Sequence, residues 1–211
     1  MLEGLDFSLE RGSLVALTGR NGTGKTTLLK TIAGIIDPLS GEVQINGINL
    51  HNQNPAARAR MVSIVLTNRL QLAGIDVQSL VMMGRYPTQG RFTFETKEDD
   101  AIVAESLDKL QITHLAKKPL AELSDGEMQK AMVARVLAQK SPLLIMDEPS
   151  AFLDYVAKEE LFEMLKSLCR DEGIGILFSS HDLELIKKYA DRRLHVEDGR
   201  LRSLEGKEEM I

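Results

Sequence analysis

A glycine-rich segment near the start of the chain has the residue types needed to bind a chain of phosphates. Residues 19–26 read GRNGTGKT and fit the pattern G-x-x-x-x-G-K-[ST] at every fixed position. The glycines let successive backbone N–H groups face one phosphate chain, and the following helix directs its positive end to the same place. Lys25 can reach the β- and γ-phosphates, and the Thr26 hydroxyl is placed for Mg²⁺. The candidate phosphate-binding residues are Gly19, Asn21, Gly22, Thr23, Gly24, Lys25, Thr26 and Thr27.

A second candidate site follows an apolar run later in the chain. Leu143–Met146 reads as a buried strand, and it ends in the two carboxylates of Asp147 and Glu148. Asp147 is suited to hold Mg²⁺ through its water shell, whereas Glu148 points the other way and can polarise an attacking water as a general base. Taken alone, a strand that runs out into solvated acids explains the pattern equally well. Downstream of a phosphate loop, the catalytic interpretation is favoured.

The apolar runs and the turn residues between them indicate which elements position these two sites. Strands alternate with helices, a pattern that predicts an α/β fold with a parallel sheet and crossover helices. A hairpin at residues 42–50, with Asn46-Gly47 as its turn, predicts an N-terminal antiparallel β portion. Strands are expected at residues 14–18, 63–66, 143–146, 174–178 and 194–197, and helices at residues 25–33, 54–60, 155–170 and 182–189.

The chain length fits a single domain with an insertion. A chain of 211 residues corresponds to one domain at about 100–200 residues per domain. We expect one domain over residues 1–211, with a nucleotide-binding core at residues 1–70 and 141–204. The mostly helical stretch at residues 71–140 predicts an inserted helical subdomain, and residues 205–211 are expected to form a loose tail.

Composition and charge exclude several classes of protein. Apolar residues make up 43% and charged residues 27%, which indicates a soluble globular chain, and no apolar run approaches the ~18 residues of a membrane span. The first ten residues do not resemble a signal peptide. A net charge of −5 with no Trp argues against a nucleic-acid surface, so we expect no nucleic-acid partner. The single cysteine, Cys169, excludes an internal disulfide and fits a reducing cytoplasm.

Three further motifs narrow the assignment. They are LSDGE at residues 123–127, PSAFLD at residues 149–154 and SSHD at residues 179–182. With the phosphate loop and the acidic strand end, in this order, the chain resembles the ATP-binding subunit of an ABC transporter over nearly its whole length. The resemblance implies an ATPase that uses ATP and Mg²⁺, dimerises with a second copy of itself and binds two ATP between the copies. It also implies multi-span membrane permease subunits as partners, a substrate-binding protein as an indirect partner, and a cytoplasmic, peripheral location on the inner face of the cell membrane.

The resemblance also implies roles for individual residues. Ser124 and Gly126 would contact the γ-phosphate that the second copy binds, while Ser124 and Glu127 form an S-x-x-E capping box in this sequence. His181 would donate to the γ-phosphate and join Glu148 and Lys25 as a catalytic residue, and Asp154 would act across the dimer. Asp125 stands where the family usually has glycine, and a carboxylate beside a triphosphate is unfavourable unless it points away or pairs with a cation.

Two positions depart from the family pattern. Where the family has a glutamine that contacts Mg²⁺ or its water, this chain has Thr67, whose hydroxyl has a shorter reach. Either Thr67 acts through an added water, which we rank first, or Asn68 or Gln71 substitutes, or coupling is weakened. The aromatic residue that stacks on adenine in the family would fall at or before Met1. Either the gene start is set too late or the nucleotide binds without that contact.

A segment of the helical region indicates the type of transporter. Residues 77–87 resemble the corresponding segment of importers for iron-siderophores, haem and cobalamin. The simpler interpretation of this segment is a helix with a Pro-containing exit turn. The similarity to the importer family favours an importer instead. The alternatives are an ABC transporter of another substrate class, a soluble ABC-type ATPase that acts on DNA or ribosomes, and a small-molecule kinase with a phosphate loop.

Overall fold

The computed structural model describes residues 2–67, 74–88 and 95–205. Its strands are β1 (Leu14–Gly19), β2 (Gln44–Ile45), β3 (Ile48–Asn49), β4 (Val62–Val65), β5 (Leu143–Met146), β6 (Gly175–Ser179), β7 (Arg192–Glu197) and β8 (Arg200–Glu205). Its α-helices are α1 (Lys25–Ile32), α2 (Pro55–Met61), α3 (Val77–Met82), α4 (Lys97–Lys109), α5 (Asp125–Gln139), α6 (Tyr155–Glu172) and α7 (Leu183–Tyr189). Short 3₁₀ helices lie at Met83–Thr88, Thr113–Leu115 and Leu120–Glu122.

A six-stranded sheet in the order β4-β5-β6-β1-β7-β8 forms the centre of the fold. Its first five strands are parallel, and β8 pairs with β7 in the antiparallel direction. Strands β2 and β3 form the separate antiparallel hairpin, in which Asn46 and Gly47 both have positive φ. The expected α/β fold with a parallel core and an antiparallel portion is therefore confirmed.

The two faces of the sheet pack against different helices. Along β1, Leu14 and Ala16 face the larger core, which holds buried residues of α3 to α7, while Val15 and Leu17 face a smaller core that includes residues of α1. Strands buried on both faces read as continuous apolar runs, which is why these strands are visible in the sequence. The carboxyl ends of the parallel strands meet at one edge of this sheet.

Local signals specify most helix ends. Thr96 and Asp99 form a capping box at the start of α4, and Asn54 caps α2 by accepting a hydrogen bond from Ala57 N. Strand β8, in contrast, is not among the strands that the sequence predicts. Its residues are rich in charge, and its pairing with β7 depends on the turn at Asp198 and Gly199, where φ is positive at both positions. The Asp-Gly pair was the available signal.

None of the helices in the described part of the chain combines the length and the apolar character that a bilayer-spanning helix needs.

The thiol of Cys169 on α6 is expected to be inert in the folded protein. The residue is 2% exposed, and burial raises the pKa of its thiol to about 12. Because only the thiolate is nucleophilic, alkylation by iodoacetamide at about pH 8 should be at least ~100-fold slower than in guanidinium chloride, where the thiol regains an ordinary pKa. Mass spectrometry of timed samples measures both rates. Complete labelling of the folded protein at the denatured rate would contradict this placement.

Candidate functional site

The glycine-rich loop connects β1 to α1 and takes a shape that only glycine allows at two of its positions. Gly19 has a φ of +146°, and a Cβ built there would lie 2.6 Å from the carbonyl oxygen of Val196. Gly24, which precedes α1, has a φ of +96°. Glycine adopts these conformations without the steric cost of a side chain. The loop therefore lies against β7 and leads directly into the helix N-terminus.

Lys25 lies over the loop that precedes it. Its Nζ donates to the carbonyl oxygens of Gly19 at 2.7 Å and Arg20 at 3.1 Å, and the residue is 8% exposed. Thr23 also bonds within the loop, where its hydroxyl donates to the Arg20 carbonyl at 2.9 Å. The ammonium group of Lys25 is thus held at the loop, where it can exchange these carbonyl acceptors for the oxygen of an incoming phosphate.

An open cleft of about 560 Å³ collects most of the predicted residues. It lies beyond the carboxyl ends of the parallel strands, which is the usual ligand position in such sheets. Gly19 and Thr23 belong to the loop but do not line the cleft. The lining residues are Asn21, Gly22, Gly24, Lys25, Thr26, Thr27, Thr67, Asp147, Glu148, Ala151 and His181.

The Asp147 carboxylate joins the phosphate loop to the sheet. Thr26 Oγ1 donates to Asp147 Oδ2 at 2.7 Å, and Ser179 Oγ donates to Asp147 Oδ1 at 2.6 Å. Asp147 is 7% exposed, and these two hydroxyls supply hydrogen-bond donors to its largely buried carboxylate oxygens. The hydroxyl and the carboxylate predicted to hold Mg²⁺ are therefore adjacent.

Glu148 points toward His181, as expected of a carboxylate that diverges from Asp147. Its Oε1 lies 3.0 Å from Nε2 of His181, whose side chain is 49% exposed. The Glu148 backbone has a φ of +48°, a left-handed conformation that costs a non-glycine residue roughly 1–2 kcal/mol. Burial raises the pKa of the Glu148 carboxyl, and the charges of His181 and Lys25 offset part of that rise. A carboxylate with a raised pKa is a stronger base toward water.

Thr67 lies just beyond the end of β4 and faces Asp147. Its Oγ1 donates to the carbonyl oxygen of Asp147 at 2.7 Å. A role through an added water would thus use the oxygen lone pairs of the hydroxyl, since its proton is already donated. The two alternatives to Thr67, Asn68 and Gln71, lie outside the described residues.

Ser124, Gly126 and Asp154 do not line the cleft of their own chain. Ser124 caps α5 with the predicted capping box, since its Oγ accepts from Glu127 N at 3.2 Å while Glu127 Oε2 accepts from Ser124 N at 2.8 Å. Asp154 caps α6 by accepting from Ala157 N at 2.8 Å. Asp125 is an exposed acid in the first turn of α5, where the helix dipole favours a negative charge.

One residue of the site was missed from the sequence. Ser179 is fully buried at the end of β6 and contacts Asp147 and Glu148, although only His181 was selected from its motif. The available signal was a hydroxyl residue at the end of a buried strand beside the acidic one.

The family model described as ABC transporter matches residues 2–151, which is more than half of the chain. The chain belongs to the ABC transporter family. Within that family, it is 38% identical over 192 residues to an uncharacterized ABC transporter ATP-binding protein of Methanocaldococcus jannaschii, covering 91% of this chain and 66% of the relative.

Other members of the family carry names that include a cargo. The achromobactin transport ATP-binding protein of Dickeya dadantii is 37% identical, covering 93% of this chain and 73% of the relative. The ferric enterobactin transport ATP-binding protein of Escherichia coli is 34% identical, and the alignment covers 94% of this chain and 73% of the relative. Relatives named for hemin and for cobalamin import also match at 34% identity.

Solved structures of ABC transporter components share the fold. CbiO1 from Clostridium perfringens, part of the CbiONQ transporter complex, superposes with a TM-score of 0.86 at 28% identity, covering 98% of this chain and 81% of that one. A dimeric bacterial ABC transporter cassette superposes with a TM-score of 0.83 at 23% identity. The superposition covers 97% of this chain and 90% of that one. The second likeness supports the fold alone.

Proposed function

We propose that this chain is the ATP-hydrolysing subunit of an ABC importer. The observation that carries the proposal is the convergence of Lys25, Thr26, Asp147, Glu148 and His181 on one cleft at the phosphate loop. Membership of the ABC transporter family supports ATP as the nucleotide. Loop N–H groups and the Lys25 ammonium neutralise the phosphate charge, which is the main requirement for phosphoryl transfer to water.

Mg²⁺ fits the residues at this site. Thr26 Oγ1 and Asp147 Oδ2 are hard oxygen donors 2.7 Å apart. Within the described ranges no group of three His, Cys, Asp or Glu residues could hold a metal ion, so phosphate oxygens and water must complete the ligand set. When bound, the ion supplies charge neutralisation at the β- and γ-phosphates. The sequence interpretation adds Thr67 as a third metal contact.

Glu148 and His181 have different roles in the attack of water on the γ-phosphate. Glu148 orients the water and accepts its proton, and the raised pKa of the carboxyl favours that transfer. His181, 3.0 Å from Glu148, donates to the γ-phosphate and orients the Glu148 carboxylate. The remaining contacts to the nucleotide come from the loop, of which Asn21, Gly22, Gly24 and Thr27 line the cleft.

A second copy of the chain would complete each site. Ser124 and Gly126 are at the N-terminus of α5, a position suited to bind an anion, yet they do not line the cleft of their own chain. A two-fold dimer would bring this helix start to the γ-phosphate bound by the other copy, and Asp154 would link the two sites.

The relatives support an importer as the larger assembly. Their names refer to achromobactin, ferric enterobactin, hemin and cobalamin, which supports an iron-siderophore, haem or cobalamin cargo. The chain would act at the inner face of the cell membrane, bound through its helical region at residues 71–140 to multi-span permease subunits. A substrate-binding protein would deliver the cargo to those subunits.

Affinity purification from detergent-solubilised membranes tests the assembly. We expect the tagged chain to co-purify with a multi-span membrane protein, and its ATPase activity to be unaffected by added DNA or ribosomes. A matched preparation of the untagged chain controls for nonspecific capture. Stimulation of hydrolysis by DNA or ribosomes, with no membrane partner, would favour the soluble ABC-type ATPase instead.

A further inference from the structure

The peptide unit between Asp147 and Glu148 is held on both sides by side-chain hydroxyls. Its carbonyl oxygen accepts from Thr67 Oγ1 at 2.7 Å, and its N–H donates to Ser179 Oγ at 2.8 Å. These two hydroxyls come from residues at the ends of β4 and β6, the strands on either side of β5. The contacts are distant in sequence, with separations of 80 and 31 residues.

The hydroxyls replace backbone partners that the sheet no longer supplies. Met146 is the last residue of β5 in register, opposite Val65 on one side and Phe178 on the other. One residue later, Asp147 N still donates to the Val65 carbonyl at 2.9 Å. Beyond that bond, the next polar groups of the β5 backbone would lack partners in a largely buried position, and Thr67 and Ser179 satisfy them.

Ser179 acts on both carboxylate residues with a single hydroxyl. It accepts from the Glu148 N–H and donates its proton to Asp147 Oδ1 at 2.6 Å, while the residue itself is fully buried. Its position therefore couples the orientation of the Asp147 side chain to that of the Glu148 backbone. The Thr67 bond limits rotation of the same peptide unit from the opposite side.

The orientation of this peptide unit decides where the two carboxylates point. Glu148 is held at a φ of +48°, a conformation that persists in a non-glycine residue only when surrounding contacts enforce it. With that backbone, Asp147 faces Thr26 while Glu148 faces His181. We infer that Thr67 and Ser179 are positioning residues that lock the Asp147–Glu148 peptide, so that the metal-binding and water-activating carboxylates diverge. This inference rests on the proposed function.

The test compares ATP hydrolysis by Thr67→Val, Ser179→Ala and the double variant. Each single change is expected to lower kcat by about 10-fold to 100-fold, since small displacements of reacting groups have effects of this size. The KM for ATP should stay within about twofold in both single variants, because the phosphate loop is unchanged. The Mg²⁺ concentration for half-maximal rate should also stay within about twofold in Thr67→Val, whereas it should rise in Ser179→Ala, which loses a bond to the Asp147 carboxylate. The double variant should lose less than the product of the single effects, since both hydroxyls hold one peptide unit.

Thr67→Ser is the matched control, because it retains the hydroxyl and should keep most of the activity. Thermal melting of every variant is measured so that rates are compared at a temperature where all are folded. If Thr67→Val raises the Mg²⁺ requirement and regains normal kcat at saturating Mg²⁺, the hydroxyl acts only as the metal contact that the sequence predicts, and the inference is wrong. It is equally wrong if Thr67→Ser is as slow as Thr67→Val, or if both single variants keep normal kcat.

These outcomes are separable from failure of the proposed function. If the unmodified protein does not hydrolyse ATP, or if Glu148→Gln hydrolyses it normally, the proposed function itself fails. If Glu148→Gln is inactive while Thr67→Val and Ser179→Ala are fully active, only the positioning role is lost.

Discussion

Glu148→Gln is expected to lower kcat for ATP hydrolysis by about 10²–10⁴-fold, the usual contribution of a general base. Glutamine keeps the shape of the side chain but cannot accept a proton from water. It also removes a negative charge from the cleft that holds the triphosphate, so ATP binding should be preserved or strengthened. Phosphate release under saturating ATP measures the loss directly.

The same variant should accumulate as an ATP-bound dimer, because the step that releases the two copies no longer occurs. Size-exclusion chromatography with light scattering, with and without ATP, detects this change in mass. Glu160→Gln is the matched control, since Glu160 is an exposed glutamate on α6 that pairs with Lys130 at 3.0 Å, outside the cleft. Normal turnover by Glu148→Gln would show that another group activates the water.

Lys25→Ala is expected to weaken ATP binding by about 10-fold to 150-fold, and hydrolysis should become undetectable at ordinary ATP concentrations. Charge-assisted hydrogen bonds of this kind contribute roughly 1.5–3 kcal/mol, which corresponds to that range. The change also removes two bonds that Lys25 Nζ makes to the loop carbonyls at Gly19 and Arg20. Titration of a fluorescent ATP analogue measures the dissociation constant.

Lys30→Ala is the control for this prediction, because Lys30 lies in the last turn of the same helix and does not line the cleft. Its ATP affinity and melting temperature should match those of the unmodified protein. An unchanged affinity for Lys25→Ala, in a protein that melts normally, would mean that the loop binds phosphate through backbone N–H groups alone.

The elements around the site differ in how far the sequence anticipates them. Ser124 with Glu127, and Thr96 with Asp99, form capping boxes over a few consecutive residues, so their pattern is readable before folding. The phosphate loop is predictable for the same reason, since its sequence pattern is local and Gly24 is required by a local backbone shape, although Gly19 is also required by the close approach of Val196. Strand β8 was missed because its residues carry little apolar pattern and depend on pairing with β7.

The residues and contacts of the site likewise differ in whether the local sequence or the tertiary structure specifies them. Residue type and local spacing are enough to identify Lys25, Thr26, Asp147 and Glu148 as candidates, and the family resemblance adds His181. The hydroxyl bonds at the Asp147–Glu148 peptide are different, since they join three strands whose register brings residues 80 and 31 positions apart within 2.8 Å. No short-range pattern encodes that register. Packing of β4 and β6 on either side of β5 specifies it, and with it the directions in which the two carboxylates point.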